Sequence, residues 1–186
     1  MNVNSTDKDR PQTVMAHLGA RLHYAAAEAL NNRGMLAKLF TDLYLDPNST
    51  SYTLLNEVSR AVPFSMLKKM LSRSSRLHKA KVTTFPFLGV QYWLELALSP
   101  ASTDIFLKFN RKFGNKVADM LHEVTFNAVY GFSGSSLEMF EASRRLNTAR
   151  FLEQMSAPVS ASREVIQGEM QQWRGWPSSI SPLWDL

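Results

Sequence analysis

Four residues near the start of the chain have the types and spacing to handle an anion: His17, Gly19, Arg21 and His23, within VMAHLGARLHY at 14–24. An apolar, strand-like run stops at Gly19, and a helix-like run follows. A glycine at such a break lets the backbone come close to a ligand. The first amides of a helix have no partners within it, so they suit a phosphate or diphosphate. Arg21 adds a fixed positive charge able to grip an oxyanion, and Ala20 lies between the two. His17 and His23 have the chemistry of a base and a substrate ligand. The same pattern also makes an ordinary strand-to-helix turn with packed histidines, and the residues alone leave both readings open.

Two later stretches add polar groups. Gly131-Phe132-Ser133-Gly134-Ser135 combines two glycines with serines, a surface that a ligand can approach closely. Glu153 and Gln154 follow an apolar run, where a carboxylate can bind a hydroxyl, cap a turn or pair with a basic neighbour. Several chemistries are disfavoured. There is no cysteine, which removes disulfides and thiolate ligands. No carboxylate sits beside the histidines to complete a metal set, so no metal is expected. Only Gly19 of a G-x-G-x-x-G pattern is present, against a dinucleotide cofactor, and no cofactor is expected. G-x-S-x-G is absent, against a hydrolase elbow.

These loops need elements to hold them. Short apolar runs at 13–17, 36–44, 81–85, 128–132 and 149–154 read as strands. Between them lie helical patterns. Leu22, Ala25, Ala26, Ala29 and Leu30 form one stripe before Gly34, a capping glycine. Residues 54–61, 63–72 and 89–98 read as helices. Ser99-Pro100 has the form of a helix start, and Ile105, Phe109, Phe113, Val117 and Leu121 then repeat at four-residue steps. Ser135 and Glu138 have capping-box spacing for a helix ending near Leu146-Asn147, and a last helix covers 161–173. Strands alternating with helices predict an α/β fold: a Rossmann-like, doubly wound parallel sheet of about five strands. Such sheets bind ligands beyond the carboxyl ends of their strands, which selects the loops after His17, Phe132 and Gln154. The expected core includes Val14, Leu30, Leu39, Phe85, Phe109, Phe113, Val117, Val129 and Leu152.

With 186 residues, 45% of them hydrophobic, the chain suits one domain with a real core. Residues 1–12 are polar and expected to form a disordered tail, 13–176 the domain, and 177–186 a short tail. No signal-peptide core and no run of membrane-span length appears, so a cytoplasmic protein is expected. The net charge of +5 is uneven. From Ser59 to Leu94 lie seven Lys or Arg and no Asp or Glu, so this window carries +7 and the remainder −2. Such a block can be a solvated face, or it can meet an anionic membrane, which allows a peripheral place at the inner membrane.

The chain resembles the N-terminal domain of a bacterial family 4-type, GT-B-fold glycosyltransferase of surface-polysaccharide synthesis. The resemblance rests on AHLGARLHYAAAEALNNRGMLAKLFTDLY at 16–44, VTTFPFLG at 82–89, AVYGFSGSSLE at 128–138 and FLEQMSAP at 151–158. Leu18 stands where that family has proline. The resemblance implies two Rossmann-like domains facing across a cleft, the first receiving a hydroxyl acceptor and the second holding most of a nucleotide-diphosphate sugar. It places Gly19, Ala20 and Arg21 at the donor diphosphate. His17, His23, Ser133, Gly134, Glu153 and Gln154 are placed on the acceptor side. After Trp176 only PSSISPLWDL follows, too little for a second α/β domain, so the donor-binding half is expected on a separate chain. The other expectation is a truncated, non-catalytic interaction domain seated on a membrane or partner through residues 59–94. Nucleic acid is not an expected partner.

Overall fold

The computed structural model describes residues 10–61, 71, 73–77, 81–99, 103–154 and 157–173. Five strands form one all-parallel sheet: β1 (Thr13–Ala16), β2 (Leu36–Thr41), β3 (Val82–Thr84), β4 (Ala128–Phe132) and β5 (Ala149–Glu153), in the order β3-β2-β1-β4-β5. The fold is the expected Rossmann-like, doubly wound α/β layer. The helices are α1 (Ala25–Asn32), α2 (Thr50–Ala61), α3 (Pro86–Leu98), α4 (Thr103–Met120), α5 (Leu137–Ser143) and α6 (Val159–Gln172). Among the described residues no helix is long and apolar enough to cross a membrane.

The two-residue alternation of a strand sends successive side chains to opposite faces. Val14, Ala16, Phe40 and Val129 meet Phe109, Phe113 and Val117 of α4 and Met139 of α5 on one face. Met15, Leu39 and Phe132 meet Tyr24, Ala27 of α1 and Leu77 on the other. The central strand β1 is buried along its length because helices cover both its faces. The four-residue stripe of α4 behaves as its period requires: Phe109, Phe113, Val117 and Leu121 are buried, and Lys108, Arg111 and Lys112 are exposed.

Some sequence expectations are corrected. Leu22 is 58% exposed rather than part of a buried stripe, because 21–24 is a 3-10 turn and α1 starts at Ala25. Leu152 is not core. It is 53% exposed, as is Phe151, because β5 is an edge strand and no described side chain of α6 is fully buried against it. Leu30 and Phe85 are half-buried, packed at the margins of the two clusters. The expected capping box of Ser135 and Glu138 does not form, and the helix start carries no side-chain cap. Ser136, not Ser135, precedes α5, and its hydroxyl donates back to the Phe132 carbonyl at 2.6 Å. Most of the expected 63–72 helix lies outside the described residues, as do Pro100, Trp176 and Trp184.

Candidate functional site at the β1–β4 switch point

The strand order reverses between β1 and β4, where Ala16 pairs with Gly131. Connections on either side of that point leave in opposite directions and open a crevice at the carboxyl ends of the strands. Two of the three loops selected from sequence flank this crevice: the one after β1 with His17 and Gly19, and the one after β4 with Ser133 and Gly134. Glu153 and Gln154 end β5, one strand further out.

The β1 loop is held in an unusual backbone. Gly19 has φ +85, and Leu22 and Tyr24 reach φ 48 and 64. The left-handed region costs residues other than glycine roughly 1–2 kcal/mol, so surrounding contacts must enforce it. Tyr24 is fully buried, and its hydroxyl donates to the Leu43 carbonyl at 2.5 Å. His17 is fully buried between the rings of Tyr24 and Phe132, at 5.3 and 5.2 Å, and its Nδ1 donates to the Gly19 carbonyl at 2.5 Å. Phe132, within the stretch read as open to close approach by a ligand, is 1% exposed because it packs against this histidine. Non-glycine left-handed residues gathered in one loop are typical of functional sites.

Asp42, which the sequence reading did not single out, anchors this loop. Asp42 is 1% exposed just beyond β2. Its Oδ1 accepts the Gly19 amide at 2.9 Å and the Thr41 hydroxyl at 3.3 Å, and its Oδ2 is ion-paired with Arg73. The Gly19 amide is therefore spent on Asp42, so a ligand at this glycine meets the open side of the backbone, where a β-carbon would find nothing within 4 Å. Arg73 also lies over the Trp93 ring at 5.2 Å. In dinucleotide folds the acid near the end of the second strand binds a ribose; here it is buried and paired, a further reason against that cofactor class. The signal was an acid directly after an apolar run, in FTDLY.

The β4 loop turns through Gly134 at φ +102. Gly131 permits the close return of the chain, since a β-carbon there would collide with Ser136. The Ser133 amide donates to the Glu153 carbonyl at 3.0 Å, tying this loop to β5. The Glu153 carboxylate accepts the Tyr130 hydroxyl, so it is partly committed within the sheet. Gln154 is exposed. Arg21 and His23 occupy the 3-10 turn between Gly19 and α1. Among the described residues no group of three or more His, Asp or Glu gathers as a metal would need.

Three tyrosines beside these loops share one electrostatic pattern. Burial pushes Tyr24 and Tyr44 up from the usual phenol value. Burial first, and the Glu153 hydrogen bond second, push Tyr130 up to about 12. A raised folded value means that stability is fully present below the unfolded value of 10 and falls as pH rises toward 12. Urea unfolding across that interval is expected to show this loss, with a shallower slope in Tyr130→Phe. An identical slope in the variant would remove Tyr130 from the account.

Searches of known protein families, of curated proteins and of solved structures find no match to this chain. The class is therefore defined by the fold alone: a parallel, Rossmann-like α/β domain whose strand order reverses between β1 and β4.

Proposed function

We propose that this chain is the acceptor-side half of a glycosyltransferase, moving a sugar from a nucleotide-diphosphate sugar to a hydroxyl acceptor in surface-polysaccharide synthesis. The observation that carries the reading is the reversal of strand order between β1 and β4, with the open glycine loop of Gly19 after one strand and the Ser133–Gly134 turn after the other. A departing diphosphate needs positive charge and backbone dipoles, and the 19–21 loop with Arg21 supplies part of both. The test is a screen of nucleotide-diphosphate sugars and hydroxyl acceptors, with the full chain alone and with a supplied donor-binding domain. Sugar transfer that depends on this chain supports the proposal; transfer in neither arrangement removes it.

A second reading, an interaction domain at an anionic membrane, is favoured by α3. Phe87, Val90, Leu94 and Leu98 form one helical stripe and are 90, 55, 61 and 84% exposed. Helix α4 packs against α3 through Phe109 and Tyr92, and it carries Lys108, Lys112 and Lys116. An apolar stripe beside cations suits the surface of an anionic bilayer. The full chain is expected to float with phosphatidylglycerol vesicles and not with phosphatidylcholine vesicles, and Leu94→Glu to lose that flotation. No flotation with either vesicle at low salt would end this reading.

A further inference from the structure

Between α4 and α5 lies a pocket of about 320 Å³, bordered by the Gly134 turn and distinct from the β1 loop. We propose that it is a subsite for one neutral glycosyl unit, held by Asn110, Glu138 and Arg111. The name acceptor for that unit rests on the transferase reading; the pocket itself does not.

Asn110 is the main observation. It is only 4% exposed, yet its amide nitrogen has no hydrogen-bond partner among the described residues. Buried donors are nearly always paired, and one left open is a cost to the fold that a ligand would offset. The open nitrogen faces Gly134, 3.7 Å from where a β-carbon at that position would lie. Glu138 supplies the opposite polarity. Its carboxylate lies over Gly114 of α4, where any β-carbon would collide with it. Arg111 is exposed at the rim, and Leu107 and Leu137 give apolar walls. Lys108 also borders the pocket, but its ammonium is paired with Glu95 at 2.6 Å.

This set selects among ligand classes. A bare anion meets the Glu138 carboxylate. An apolar ligand leaves an amide, a carboxylate and a guanidinium desolvated without partners. A sugar hydroxyl both donates and accepts, so it satisfies Asn110 and Glu138 together. Its ring carbons match the leucine walls. The volume lies at the small end of ligand pockets, about 300–1,000 Å³, which favours one ring over a chain.

The experiment titrates the ¹⁵N-labelled full chain with methyl glycosides of glucose, galactose, mannose and N-acetylglucosamine, and separately with inorganic phosphate. At least one glycoside is expected to shift the Asn110 side-chain amide saturably. Asn110→Leu, similar in shape, should weaken binding on the order of tenfold while melting no lower than the parent. Arg111→Met, at an exposed position, should weaken it severalfold and reads the same pocket if the leucine variant fails to fold. Silence from every glycoside at high millimolar concentration, binding unchanged in the variants that fold, or a response to phosphate alone would each overturn the subsite. Glycoside binding at Asn110 without any transfer would keep the subsite and remove the transferase reading. Transfer without glycoside binding there would do the reverse.

Discussion

Asp42→Ala is expected to cost the chain about 3–5 kcal/mol of stability, the scale for breaking a buried ion pair from one side. Domains are stable by only about 5–15 kcal/mol, so this is a large fraction of the total. The reason is local. Removing the carboxylate leaves the Arg73 side chain, 12% exposed, without its counter-charge. It also leaves the Gly19 amide and the Thr41 hydroxyl without the oxygen they share. The double variant Asp42→Leu/Arg73→Met removes both charges and should recover much of the loss, since a buried pair is often replaceable by well-packed apolar groups. Urea unfolding of the single and double variants measures both effects. A loss below about 1 kcal/mol in Asp42→Ala would place the pair with ordinary surface salt bridges and remove it as the anchor of the β1 loop.

Gly19→Val is expected to lower sugar transfer on the order of a hundredfold, by holding a diphosphate away from the charge and dipoles of this loop, whose loss is worth about that much. The fold should lose less. A β-carbon at Gly19 meets no atom within 4 Å, so the stability cost comes from the left-handed backbone alone, roughly 1–2 kcal/mol. The valine branches instead occupy the open space through which a diphosphate would approach. Arg21→Ala should reduce transfer in the same direction, without the backbone penalty. Transfer assays with the donor-binding domain supplied, run beside thermal melts, separate the two effects. Unchanged transfer in both variants would leave this loop a plain βα turn and move the site to Ser133, Gly134 and Glu153.

The sequence made the scaffold legible where burial follows a local period. The α4 stripe of Phe109, Phe113 and Val117 and the short apolar run of β1 gave their elements directly, and the alternation of strand and helix gave the parallel sheet. It did not make legible what depends on distant partners. Leu152 looked like core, but an edge strand is buried only by what covers it. Phe132 looked available, but His17 lies against it. Asp42 and Arg73 are 31 residues apart, and no local pattern joins an acid after one strand to an arginine in a basic window. Asn110 sits beside the buried stripe rather than on it, and it is buried where the distant Gly134 turn comes against α4. The glycines fared better: Gly19, Gly34 and Gly134 were read as turn or approach positions, and all three have positive φ.

Backbone amide shifts read whether a nucleotide-diphosphate sugar binds at the switch point between β1 and β4. The labelled full chain is titrated with uridine, guanosine and thymidine diphosphate sugars. Saturable shifts centred on Gly19, Ala20 and Arg21 are expected, with smaller ones at Ser133 and Gly134 after β4. No saturable shift from any of these donors, or shifts centred instead on the apolar groove beside Tyr130 and Phe151, would contradict it.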